Sequence, residues 1–523
     1  MPIARRTALS SAAAALAAPA LVQAQTNRTL RFLPASDLVS LDPVWSGGNV
    51  PREHGNTVYD QLFGLDARYR PHPQMVAGIR VENDGRQWDL TLRDGLLFHD
   101  NTPVLARDCI ASVRRWAKRN PYGASLMERT DEIAAVSDKV IRFRLKKPFA
   151  SLPEALAQQN CAIMPERVAA TDPFKQISDP TGSGPFRFLT DEHISGSHWS
   201  YAKFDKYVPR ADGEPSFLAG PRIAHFDRLI WSWLPDPATA AAALAKGEHD
   251  WWVNVSFDVA GMLKRNRDLK VEVKDRTGLI GIGRFNHLHK PFNNPAIRRL
   301  VLACVNQRSF MEAVAGAEPD LFVTGAGLFS PDTPMYTKAG IEALTARTDF
   351  EGVKKELAAA GYNGEKTVLL GASNVPTHHA MVQVMDDLLR RMGFNVDLHS
   401  VEFGTVGQRI VSREPIEKGG WNMYCANSTN LNNVFLPGNA YIRGGTSGAN
   451  GWPDVPRLEE LREDWLNATS VADQKQIAAG IQVQFFKDVT HVPLGEFFSP
   501  ACYRKDIAGI HPGWPVMTGV HRI

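Results

Sequence analysis

The apolar positions of the chain switch between two periods, and the switches predict alternating strands and helices. Two-residue alternation marks Gln87–Leu92, directly after the turn signal Asn83-Asp84-Gly85, and again Lys139–Leu145, closed by Pro148. Short β-like runs are expected at Thr29–Leu33, ended by Pro34, at Phe186–Leu189 and at Phe226–Trp233. Helical spacing predicts helices over Leu105–Lys118, Ala238–Lys246, Asn294–Ala315, Val455–Leu466 and Val471–Lys487. Asn56–Phe63 reads as the start of a helix passing into a strand. Phe350–Ala360 reads as a helix with Gly361 as its C-terminal stop. Thr367–Leu370, His378–Met392 and Asn395–Val401 form a strand, a helix stopped at Gly393 and a strand. A βαβ unit of this kind predicts a parallel strand pair. The breaker-rich stretch from Asp179 to Pro185 falls where a crossing between lobes is expected. The mixture is α/β, with α+β character over 61–179.

A chain of 523 residues exceeds one ordinary domain and predicts two or three lobes. Its 59 basic and 56 acidic residues leave a formal charge of +3, which offers no reason to expect nucleic acid or a membrane surface as partner. The five cysteines (Cys109, Cys161, Cys304, Cys425 and Cys502) are scattered, with no CxxC pair, so no zinc or thioredoxin-like motif is present. The N-terminus carries more information. Arg5 and Arg6 precede an alanine-rich apolar run, Ala8–Val22, which closes on Val22-Gln23-Ala24. This is the layout of a secretory signal peptide cleaved after Ala24, with export by the twin-arginine or the general secretory route. No cysteine stands near the cleavage site to accept a lipid, so a periplasmic, unanchored, monomeric product is expected.

The usual catalytic motifs are missing: there is no GxSxG, no HExxH and no GxxxxGK[ST]. Gly278, Gly281 and Gly283 do not form a dinucleotide fingerprint. His287 with His289, and His378 with His379, are pairs of metal-ligating type, although such histidines more often make hydrogen bonds. The sequence therefore predicts no enzyme and no cofactor. A periplasmic hydrolase or metalloenzyme on a similar scaffold is the alternative reading, since catalytic groups are defined by geometry rather than spacing.

An ordered set of motifs resembles the peptide/nickel family of extracellular solute-binding proteins, the oligopeptide- and dipeptide-binding type. Ser40-Leu41-Asp42-Pro43 is similar to its SLDP element, and Tyr59-Asp60-Gln61-Leu62-Phe63 to its Y-x-x-L-[FV] segment. The stretch from Asp84 to Ser112 resembles its longest signature, with Asn101 where glycine is usual. Gly182 to Phe186, Leu244 to Asp250, Phe292 to Arg298 and Gly419-Gly420-Trp421 follow in the family's order. The resemblance implies the solute-binding component of an ABC importer, which delivers its solute to membrane permease subunits. It also implies a two-lobed periplasmic-binding-protein fold with an additional smaller α+β domain. After a 1–24 signal peptide, lobe I would take 25–60, 180–275 and 490–523, the additional domain 61–179, and lobe II 276–489.

The same resemblance implies which residues face the solute: Asp37 on the first cleft loop, Phe403 at an aromatic wall, and Arg409 and Trp421 near the closing strand. Peptide-binding relatives carry an aspartate just after that tryptophan, which pairs with the peptide ammonium. Here the position falls on Tyr424, and no Asp or Glu occurs from Gly419 to Pro453. The stretch offers asparagines instead: Asn422, Asn427, Asn430, Asn432, Asn433 and Asn439. Arg284 stands where a relative has an acid. Asp37, Arg284, Phe403, Arg409, Trp421, Tyr424 and Asn427 are the candidate contacts. With two arginines and no acid in this loop, the expected solute is anionic or a polar neutral molecule, unless Asp37 replaces the missing anchor.

Overall fold

The computed structural model describes residues 28–430, 434–445, 448 and 450–523. The expected signal peptide, together with Asn432 and Asn433, lies outside the described residues.

Two mixed sheets organise the chain. The first has seven strands in the spatial order Leu269–Glu272, Ala501–Arg504, Trp251–Trp252, Thr29–Leu33, Arg228–Ser232, His198–Lys203 and Phe186–Ile194. The second has six, in the order Phe322–Val323, His491–Phe497, Leu279–Phe285, Met423–Thr429, Lys366–Ala372 and Asn395–Val401. A separate four-stranded antiparallel sheet, Val76–Glu82, Gln87–Leu92, Val140–Leu145 and Thr130–Ser137, belongs to the inserted α+β region. The alternation read in Gln87–Leu92 is expressed as Leu90 and Leu92 buried beside an exposed Thr91.

The βαβ unit forms as its pattern predicts. Lys366–Ala372 and Asn395–Val401 run parallel in register from Lys366 against Asn395 to Ala372 against Val401. The connecting helix Pro376–Met392 buries Met381, Val382, Met385, Leu388, Leu389 and Met392, a face repeating every three to four residues. It stops at Gly393, whose φ of 98° is the left-handed conformation that glycine adopts most cheaply.

Two boundaries differ from the sequence-based expectation. The single helix expected over Asn294–Ala315 is two helices, Pro295–Cys304 and Gln307–Ala315. Asn306 breaks it, because its side-chain oxygen accepts from the Arg308 amide at 3.1 Å and so caps a new N-terminus. The return to the first sheet, expected at 490, comes later. His491–Phe497 pairs with Leu279–Phe285 inside the second sheet, and the chain re-enters the first only at Ala501–Arg504. His491–Phe497 is buried throughout, so it carries no alternation that could assign it to a sheet.

The motifs of the resemblance tie the parts together. Asp42 is fully buried and accepts from Arg115 Nη1 at 3.0 Å and Nη2 at 2.6 Å, joining the Ser40–Pro43 loop to helix Ala106–Ala117. Asp60 accepts from Arg222 at 3.0 Å and from the Tyr207 hydroxyl at 2.9 Å. At the crossing loop, Gly184 N–H donates to Val58 O at 2.8 Å. A Cβ on Gly182 would collide with the same carbonyl. All five cysteines are buried and free. Among the described residues, no helix is long and apolar enough to cross a membrane.

Candidate functional site

Helix Asn49–Val58 follows the Asp42 loop and is buried at every position after Asn49. Its first turn lies between two recesses.

The first recess is a cavity of about 50 Å³ that opens to solvent. Asn49 and Glu53 of the helix line it, with Trp251, Val253 and Asn254 from the first sheet. Lys274, Asp275 and Gly278 enter from the loop between strands Leu269–Glu272 and Leu279–Phe285, and Trp514 and Pro515 from the C-terminal segment. Glu53 is 2% exposed, and its Oε2 has no hydrogen-bond partner. The indole N–H groups of Trp251 and Trp514 have none either. Burial pushes the Glu53 carboxyl up to about 8; Arg52 works against the rise and Asp275 adds to it. Burial also raises Asp275, whose carboxylate accepts from the Thr277 amide at 2.9 Å. Glu496 stands directly behind Gly278, since a Cβ there would meet its Oε1 at 2.6 Å. Its other oxygen lacks a partner, and burial pushes this carboxyl up to about 9.

The second recess draws on three stretches far apart in the chain. Trp45, Gly47 and Arg52 come from the loop after Asp42 and helix Asn49–Val58, Arg119, Gln158 and Gln159 from residues 119–159, and Phe435 and Tyr441 from residues 435–441. Arg52 donates to Gly47 O at 3.1 Å and lies 5.6 Å over the Trp514 ring, next to the first recess. Gln159 is 5% exposed, and neither atom of its side-chain amide has a partner. Buried polar groups are paired as a rule, so Glu53 and Gln159 are exceptions that call for a ligand or ordered water.

The residues expected from the sequence fall elsewhere. Asp37 Oδ2 accepts from Gly196 N at 2.8 Å and Ser195 Oγ at 3.3 Å, holding a hairpin turn of the first sheet. Arg284 is fully buried and donates to Asn450 O, Tyr441 O and Thr490 O at 2.7, 2.6 and 3.3 Å. It pairs in register with Tyr424, which meets Trp421 edge-on at 5.3 Å between ring centres. Trp421 is fully buried in a small cluster with Val368, Leu370 and Val406, its indole N–H on Ser412 O at 3.2 Å. Arg409 contacts His399 Nδ1 at 2.6 Å and Gly420 O at 3.4 Å. Phe403 is half exposed and lies 5.5 Å from the His378 ring. Asn427 donates from its backbone to His378 Nε2 at 3.3 Å and from its side chain to Thr377 Oγ1 at 3.1 Å. The structure thus gathers Arg284, Tyr424 and Trp421 at one place and Asn427, His378 and Phe403 at another. None of the seven is among the residues lining the two recesses.

Among the described residues no cluster of three or more His, Cys, Asp or Glu side chains could hold a metal. His287 and His289 bond the carbonyls of Thr490 and Arg413 at 3.0 Å each. The recess residues Glu53, Trp251, Trp514 and Gln159 were not singled out from the sequence. The only signal for Glu53 is an acidic residue in a helix that has no solvent face.

A family model described as bacterial extracellular solute-binding proteins, family 5, matches residues 70–450. The probable peptide ABC transporter periplasmic-binding protein y4tO of Sinorhizobium fredii is 33% identical over 98% of each chain. Two solved structures superpose with a TM-score of 0.77. One is the binding protein AgaA from A. tumefaciens R10 in complex with agropinic acid, 19% identical, covering 95% of this chain and 99% of that one. The other is DppA of Helicobacter pylori with the peptide STSA, 21% identical, covering 96% and 99%. One fold therefore holds agropinic acid in one protein and a peptide in another, and the fold alone does not select the solute.

Proposed function

Because the chain belongs to family 5 of the bacterial extracellular solute-binding proteins, we propose that it is the periplasmic component of an ABC importer and takes a peptide-like solute into the recesses beside helix Asn49–Val58. The observation that carries this reading is that both recesses are walled by residues far apart in the chain and hold buried polar groups without partners, Glu53 in one and Gln159 in the other. Such groups are costly in an empty protein and favourable once a ligand meets them. Closure of the lobes on the solute would complete the contacts, and the closed form would be handed to the permease pair. The name of the y4tO relative supports a peptide-like solute. The expectation of an anionic solute rested on Arg284 and Arg409, and both guanidinium groups are engaged by protein acceptors. Export would follow from cleavage after Ala24, and the protein would act as a monomer that leaves its solute unchanged.

Mass spectrometry of protein purified under native conditions tests the reading. A small molecule should be carried in stoichiometric amount, rebind at roughly micromolar affinity or tighter, about −8 kcal/mol, and be recovered intact after long incubation. Turnover of that molecule, abolished by one substitution in a recess, would overturn the binding reading.

A further inference from the structure

Resting on the solute-binding reading, we infer that the solute is anchored by a cationic amine seated on the Glu53 carboxylate, in the recess walled by Trp251 and Trp514. No Asp or Glu occurs between Gly419 and Pro453, the stretch that holds Tyr424 and its asparagines. Helix Asn49–Val58 supplies a carboxyl group elsewhere. Glu53 is almost wholly buried, lines the recess and leaves Oε2 without a donor. An ammonium brings both the charge and the hydrogen-bond donors that this oxygen lacks.

The surroundings agree with a cation. Trp251 and Trp514 line the recess, and the face of an indole attracts a positive group; Trp514 already carries the Arg52 guanidinium at 5.6 Å. Their N–H groups lack acceptors, so they are free to donate to carbonyl oxygens that follow the amine. Asp275 lines the same recess, and Glu496 lies behind its Gly278 wall. The positive groups nearby are already occupied: Lys274 pairs with Glu272 at 2.7 Å, and Arg52 bonds the Gly47 carbonyl.

The test uses a tripeptide library with free amino termini and the same library N-acetylated, titrated calorimetrically into the full mature protein and into Glu53→Gln. The free-amine library should bind wild-type protein at least about tenfold more tightly than the acetylated one. Glu53→Gln should lose that preference while keeping the weaker binding of acetylated peptides. Equal binding of both libraries by wild-type protein, or a preference that survives Glu53→Gln, would overturn the anchor. The comparison within wild-type protein does not depend on the variant folding. Failure of both libraries, with a non-peptide molecule carried through purification, would overturn the amine anchor and leave the solute-binding reading standing.

Discussion

At Asp42 the carboxylate accepts from Val44 N, Trp45 N and Ile177 N in addition to both ends of the Arg115 guanidinium. Both side chains are out of solvent. Removing the charge with Asp42→Asn strands a buried guanidinium, which costs about 3–5 kcal/mol. Urea denaturation should read that loss, and a change below about 1 kcal/mol would show the pair to be dispensable. His99 is a second residue whose role depends on its protonation state. Its Nε2 bonds Gly184 O at 3.0 Å, and its Nδ1 accepts from Gly182 N at 3.2 Å, so the neutral ring with its proton on Nε2 is required. Burial lowers its pKa to about 4, below the usual value near 6.5. Between those two values the unfolded chain takes up a proton that the folded ring refuses. Stability from this group is therefore fully present above about pH 6.5, falls as pH drops toward 4 and levels off below. His99→Gln, which keeps one donor and one acceptor, should flatten that part of the stability–pH profile; an unchanged slope would assign the acid sensitivity elsewhere.

The elements differ in how they end, and their ends decide the topology. The helices Pro295–Cys304 and Gln307–Ala315 share one apolar pattern, and only the Asn306 cap separates them. Asn306→Ala should cost about 1 kcal/mol, the usual worth of such a cap, readable as a lower denaturation midpoint without a change in slope. At the crossing loop, Ser183 Oγ accepts from Asp60 N at 3.0 Å and donates to Ile163 O at 2.8 Å. Ser183→Ala would leave both groups buried and unpaired, at about 1–3 kcal/mol. The two changes separate a local cap from a joint between lobes, because only the second should loosen the inserted region against the first sheet. Hydrogen exchange at Asp60 and Ile163 would report it, and unaltered protection there would show that the joint does not depend on this hydroxyl.

Across the whole molecule the chain passes between sheets more than once: Leu269–Glu272 lies in the first, Leu279–Phe285 in the second and Ala501–Arg504 in the first again. The inserted region also touches the second lobe, through Ser151 Oγ to Gln474 Nε2 at 3.0 Å and Arg129 to Glu463 at 2.5 Å. A solute that bridges lobes should then stabilise the molecule by mass action, about 2.7 kcal/mol at a hundredfold excess over Kd. Thermal unfolding with and without the carried ligand measures this, and no shift at saturation would mean that the ligand does not prefer the folded form. Export makes a separate prediction. N-terminal sequencing of periplasmic material should begin at Gln25, and an uncleaved product would remove the localisation. Replacing Arg5 and Arg6 by lysine should block export only on the twin-arginine route.

The family, the α/β character and most strand and helix positions were legible in the sequence, because they rest on local period, turn chemistry and residues such as Asp42 and Asp60 whose bonding is built into the fold. Those same residues make the family recognisable, and they bond protein. The recesses were not legible. Glu53, Trp251, Gln159 and Trp514 lie far apart in the chain and converge only because the first sheet draws strands from both ends of the sequence. Arg284 shows the converse: its charge suggested a solute contact, and tertiary structure turned it onto three backbone carbonyls. Sequence period determines which face of an element is buried. Whether a buried polar group meets protein or a cavity is decided by what the other lobe brings against it, and that is information only the assembled sheets contain.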